Sequence, residues 1–340
     1  MAFKIKLFIV LLFPFLGYSQ IGGKYVYQFL NLANAPRQAA LGGKLVTQYD
    51  YDVTQFFSNP AAINEDMHNK PVLNYGSYFG EASYGTAAYA HTWDRRTQTI
   101  AVGVQYINYG TFDGRDELGN QTTEFTGNEA ALTLGYAYNI PWTNLYVGSN
   151  AKFISSTLEQ YSSWGIAADV GLLYIDNVND IHYGLSFRNM GFQIKPYADL
   201  RENLPFTIDA GISQSLEHVP IRWHLTLENL QQWNIGFSNP NRAQESFEGD
   251  VSEEKVGFFN NAMRHVIVGA ELFPEKGFNI RVGYNFRRAQ ELKIIEQRTF
   301  AGISLGFGLR IGKLKFNYSY SRYTLAANTN LFGVMVNLNE

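Results

Sequence analysis

The chain has 340 residues and carries 27 Lys and Arg against 30 Asp and Glu, a formal net charge of -3. That balance offers no basic footprint for nucleic acid, and the absence of cysteine removes thiol catalysis, cysteine-held metal, disulfides and a lipoprotein anchor. Mean hydropathy of -0.19 excludes a bundle of membrane helices, whereas 31 Gly, 22 Tyr and 25 Phe suit thin strands that meet lipid on one face.

In chain order, residues 1–19 read as a signal peptide. Lys4 and Lys6 precede an apolar run from Leu7 to Leu16, and Gly17-Tyr18-Ser19 puts small residues where a signal peptidase cuts, so the mature chain is expected to start at Gln20. The apolar run is well short of the roughly 20 residues that span a bilayer.

Residues 20–70 lack a clean strand pair, and from residue 71 a period of two takes over. Predicted strands fall at 71–78, 85–94, 98–108, 129–139, 143–156, 162–174, 181–188, 206–216, 221–230, 264–273, 278–287, 299–311, 314–321 and 330–338. In the segment from Ala301 to Ile311, apolar Ile303, Leu305, Phe307 and Leu309 alternate with Ser304, Gly306, Gly308 and Arg310. A soluble β-sandwich also alternates, but its exposed face would be rich in Lys, Glu and Thr. Here the second face is heavy in Gly, Ser, Asn and isolated Arg. That pattern fits an all-β fold, a fourteen-stranded antiparallel transmembrane β-barrel over residues 71–340.

Parity supports the count. With an even number of strands both termini lie on one side, and every link assigned to that side (95–97, 140–142, 175–180, 217–220, 274–277, 312–313) is short. The long links at 109–128, 189–205, 231–263 and 288–298 all fall on the other. A lumen of this size is too wide for strand side chains to fill, so residues 20–70 are expected to fold inward as an N-terminal plug, with a soluble periplasmic extension as the alternative.

No catalytic constellation emerges. No two of the six His have the spacing that would set both imidazoles on one helical face with a carboxylate. The Gly302-Ile303-Ser304-Leu305-Gly306 match to Gly-Xaa-Ser-Xaa-Gly lies inside an alternating strand segment rather than at a strand-to-helix elbow, and no phosphate loop is present. Ser186 and His182 share a strand face without a third partner. The charges on the inferred lumen face, Glu129, Arg188, Glu228, Arg281, Arg287 and Arg310, mix both signs. Such a mixture is expected to hold a plug through paired charges rather than to filter ions. On the longest outward link, Trp233, Phe237, Phe247, Phe258 and Phe259 stand among acidic residues, either as a docking surface or as a cover tucked over the barrel mouth.

A resemblance spans nearly the whole chain. Ile21-Gly22-Gly23, Tyr27 to Leu32, Arg37 to Gly43, Asn59-Pro60-Ala61, Met67-His68, Gly103 to Gly110 and Gly306 to Tyr323 resemble the PorQ family of type IX secretion proteins of Bacteroidota. The Asn-Pro-Ala piece also occurs in the wider group of FadL-like transporters. The resemblance implies a FadL-like barrel in a Gram-negative outer membrane, without enzymatic activity or cofactor. It also implies a place in a cell-surface attachment complex with PorU, PorV and PorZ, in which the barrel anchors PorZ while cargo is trimmed and attached. The alternative is a FadL-like transporter of hydrophobic small molecules. The chain departs from many barrels in ending Asn337-Leu338-Asn339-Glu340 rather than on an aromatic residue.

Overall fold

The computed structural model describes residues 25–94, 98–116, 118–236, 244–245, 251–252, 256–291, 301–322 and 328–339. The signal-peptide assignment and Gln20 lie outside them. Fourteen antiparallel strands close into one barrel: β1 Val72–Ser77, β2 Ser83–Asp94, β3 Gln98–Phe112, β4 Phe125–Asn139, β5 Leu145–Leu158, β6 Tyr161–Asp176, β7 Ile181–Lys195, β8 Thr207–Ser215, β9 Ile221–Leu227, β10 Val266–Leu272, β11 Phe278–Asn285, β12 Ile303–Ile311, β13 Leu314–Arg322 and β14 Asn328–Val336. Closure runs through β1 and β14, where Val72 pairs with Met335 and Gly76 with Leu331. Each strand bonds its sequence neighbours, so the topology is a simple meander.

The side chains are distributed as lipid dictates. On β4, Leu134 is 57% exposed on the outer face while its neighbour Thr133 is 0% exposed inside. A soluble protein would reverse this, because apolar surface in water is costly; a wall that faces hydrocarbon outside and polar groups inside is a membrane barrel. Aromatic pairs mark the edges of the belt, Phe153 with Trp164 toward the long links and Tyr174 with Tyr183 toward the short turns. Along β6, residues 164 to 174 cover about 25 Å of the barrel axis at roughly 3.3 Å per residue and a tilt of roughly 40°. That height matches a hydrocarbon core.

The wall is taller on one side. Strands β3 to β7 run 14–16 residues, against 7–9 for β8 to β14. The alternation in sequence ends before these extensions because register shifts interrupt it, between Asn108 and Thr111 in β3 and between Ala168 and Val170 in β6. Asn189, at φ 58°, lies in the strand opposite the second shift. Several other strands are shorter than expected. β11 stops at Asn285 and continues as a helix, Phe286–Glu291, so Arg287 is helical rather than a strand residue.

Residues 25–70 fill the lumen, as an N-terminal plug. The chain enters at the end bearing the long links, where Val26 N donates to Asn203 O at 3.0 Å. It forms a 3-10 turn at Gln28–Asn31, a five-residue helix α1, Pro36–Ala40, against β11 to β14, and three further 3-10 turns at Val53–Phe57, Pro60–Ala62 and Glu65–Met67. Asp52, Asn59 and Asn64 cap those turns by accepting from Thr54 N, Ala61 N and Asp66 N, which satisfies otherwise orphaned donors. The plug leaves at the opposite end, where Asn69 N donates to Ala90 O and Leu338 N to Asn69 O.

Strand parity therefore describes the barrel alone. The C-terminus and the start of β1 lie at the short turns, but the lumenal crossing carries Tyr25 to the long-link end. An epitope inserted immediately before Tyr25 should be labelled by antibody from the same side as one in link 113–124; labelling only after the membrane is opened would reject this path.

Candidate functional site

The plug is pinned by charge. Arg37 of α1 sits between Asp50 of the plug and Glu271 of β10, each at 2.6 Å, and Arg281 of β11 approaches the second Glu271 oxygen at 2.7 Å. The site follows from register: Glu271 is paired with Arg281 across the β10–β11 ladder, and both are fully buried. Burial disfavours charge on Arg37 and Asp50 alike, but their attraction overrides it.

A second set runs round the wall. Lys44 of the plug reaches Asp209 of β8 at 3.0 Å and Glu228 at 3.5 Å, while Arg188 of β7 meets Asp209 at 3.2 Å. Lys152 of β5 meets Asp169 of β6 at 2.8 Å. Each charge in these two sets thus has an opposite partner, as an interior of low dielectric favours.

Hydrogen bonds complete the attachment. Asn34 O accepts from Asn74 at 3.0 Å and Thr86 at 2.7 Å, and its side-chain oxygen accepts from Gln105 at 2.6 Å. Ser186 donates to Ser58 O at 2.7 Å, and a His182 ring nitrogen lies 3.2 Å from Thr47 O. The two residues weighed as a hydrolytic pair are each engaged by plug backbone.

The glycines supply the fit. The Asn59-Pro60-Ala61 turn rests on Gly148 of β5 and Gly171 of β6, neighbours across the ladder. A Cβ at Gly148 would overlap Pro60 backbone, and one at Gly171 would overlap Asn59 Oδ1. Asn59 itself donates to Val46 O at 2.7 Å and Leu172 O at 3.2 Å, tying plug to wall.

Of the six expected lumen charges, Arg188, Glu228 and Arg281 join the network. Arg287 also reaches it, at 3.5 Å from Glu228, but from the helix Phe286–Glu291 at the mouth and only half-buried. Glu129 is buried yet meets hydroxyls rather than cations: Tyr109 OH donates at 2.6 Å and Tyr197 OH at 3.4 Å. Arg310 departs from the expectation, because it lies exposed at the short-turn mouth, where its Nε donates to Gly312 O at 3.4 Å. Sequence reasoning missed Arg37, Lys44, Asp50, Lys152, Asp169, Asp209 and Glu271. Lys152 between Ala151 and Phe153, and Asp169 between Ala168 and Val170, were visible as lone charges inside apolar strands.

At the long-link mouth, helix α2, Phe258–Arg264, presents Phe258 and Phe259 at 76% and 77% exposure. Trp233 packs on Phe258 at 4.9 Å and stacks on His265 at 5.5 Å. Its carbonyl receives Asn261 and lies 3.0 Å from a His265 ring nitrogen. The two Phe thus stand exposed on a fixed base at the mouth. Phe237 and Phe247 lie outside the described residues.

Together these features define a plugged β-barrel of the membrane-spanning class. Comparison with solved structures places its fold more narrowly. The chain is similar to the TodX monoaromatic hydrocarbon channel deltaS2 mutant, with 12% identity and a TM-score of 0.53 over 90% of this chain and 98% of that one. It is equally similar to a Pseudomonas aeruginosa FadL homologue, at 10% identity and a TM-score of 0.53 over 89% and 98%. No protein-family model and no curated protein matches it. The fold is that of a FadL-like barrel.

Proposed function

We propose that the chain is a non-enzymatic outer-membrane scaffold of the type IX secretion system, a PorQ-like barrel that anchors a PorZ-like protein beside PorU and PorV at the cell surface. The observation that carries this reading is the latched plug. Ion pairs of 2.6 Å from Arg37 to both Asp50 and Glu271 favour a filled, rigid cylinder that offers surfaces rather than a passage. The sequence resemblance supplies the system, and the exposed Phe258 and Phe259 supply a docking feature. Affinity capture of the tagged barrel from native membranes should recover a surface partner of this kind, and Phe258→Ser/Phe259→Ser should reduce the recovery severalfold. Repeated isolation of the barrel alone would end the proposal.

A second reading, transport of hydrophobic small molecules, is favoured by the barrel type and by apolar cavities at the outer mouth. Fold analogy alone does not establish it. It predicts slower entry of an aromatic hydrocarbon into cells lacking the barrel, with secretion unaffected.

A further inference from the structure

The tall side of the wall carries a cleft that the scaffold role does not use. Above the membrane belt, β3 to β6 continue as two hairpins whose inward faces are apolar. Phe125 shares its face of β4 with Gly127 and buried Glu129, and Leu158 and Tyr161 share theirs with Ser156 and Ser163. Phe112 and Phe125 stack at 5.3 Å. With Tyr109 they line a cavity of about 360 Å³, and a neighbouring one of about 430 Å³ shares Tyr109 and Phe112 and extends to Tyr78 and Phe79. A β-bulge makes the room: Gly110, at φ +81°, lets β3 turn outward, and Glu81 packs over it.

Charge at this cleft is one-sided. Glu159 lines the first cavity and Glu81 the second, and neither cavity has Lys or Arg among its lining residues. The adjoining link adds Asp113, Asp116 and Glu124 against Arg115, whose guanidinium donates to Gly119 O at 3.2 Å. Lys195, at the end of β7, is engaged by Ser162 at 2.7 Å. Behind the aromatic wall, Tyr109 donates to Glu129, which enriches the Tyr109 ring in electron density. Aromatic faces combined with rim carboxylates are the recognition chemistry of an ammonium group carried on an apolar body. A carboxylate ligand would meet repulsion from Glu81 and Glu159.

We propose that this cleft binds small amphipathic cations, with the apolar part between Phe112, Phe125 and Leu158 and the ammonium toward Glu159 and Glu81. Binding here stands apart from the scaffold role, which the capture experiment tests separately.

A matched set of probes decides it: 4-phenylbutylamine, 4-phenylbutyrate and butylbenzene, with the barrel in lipid nanodiscs and empty nanodiscs as the blank. The amine should bind about tenfold tighter than the carboxylate at low salt, as two rim ion pairs allow, and the gap should narrow as salt rises. Glu81→Gln/Glu159→Gln should remove the preference while butylbenzene binding persists, and Phe125→Ala should weaken all three. Heat-modified gel mobility confirms that each variant retains the barrel. Equal binding of amine and carboxylate, a preference unchanged in the double Gln variant, or amine uptake no greater than in empty discs would each overturn the proposal.

Discussion

Replacing Arg37 with methionine is expected to cost about 3–5 kcal/mol of stability, the usual result of stranding a buried charge. The guanidinium is 2% exposed and lies between two carboxylates, one of which, Glu271, is fully buried. Methionine fills a similar length but neutralises nothing. Glu271 then keeps only Arg281, and Asp50 loses its cation. The loss should appear as a lower midpoint for the heat-induced mobility shift of the folded barrel in detergent. Arg37→Met/Asp50→Asn should recover part of it, since Asp50 no longer carries an unpaired charge and Glu271 keeps its 2.7 Å pair with Arg281. Arg287→Ala supplies the comparison, because Arg287 is half-exposed and 3.5 Å from Glu228; such a pair is worth about 1 kcal/mol or less. If Arg37→Met moved the midpoint no further than Arg287→Ala, charge pairing would not be what fixes the plug.

Barrel and latch were not equally legible in the sequence. Strand number and order could be read because each strand had to satisfy two solvents at once. Leu305, Phe307 and Leu309 face lipid while Ser304, Gly306 and Gly308 face the lumen, and a closed meander admits little else. That signal weakens where the wall rises above the membrane, since Phe112 and Phe125 no longer need an apolar medium outside. It fails at Arg287, where Phe286 starts a helix. The plug carries no period, because its residues are fixed by what surrounds them. Arg37, Lys44 and Asp50 find partners 234, 165 and 13 positions away respectively. Only the caps left a trace, as Asp52, Asn59 and Asn64 stand directly before their turns. Phe258 and Phe259 could be nominated as aromatics on a polar link, but their exposed placement depends on His265 and Asn261 gripping Trp233 O.

Valine at both Gly148 and Gly171 is expected to unseat the plug while leaving the barrel closed. A Cβ at Gly148 would meet the carbonyl of Pro60 and the nitrogen of Ala61, which are backbone atoms with no rotamer to retreat into. At Gly171 the obstacle is Asn59 Oδ1, which also caps the Pro60–Ala62 turn. The turn must therefore move away from β5 and β6, breaking the Asn59 bonds to Val46 O and Leu172 O. The strands themselves lose nothing, because valine suits a pleated ladder better than glycine does. Once cleared, a lumen of this strand number conducts water and ions. Planar-bilayer recordings should therefore pass from small, rare events in the parent to large steps in the double variant, with faster protease cleavage within residues 44–64. Gly277→Val is the control, since a Cβ there meets only Arg310 O, at 3.9 Å. Unchanged conductance and protease resistance in the double variant would mean that the plug is held by its charges alone, and that the glycine floor under Asn59-Pro60-Ala61 contributes no hold of its own.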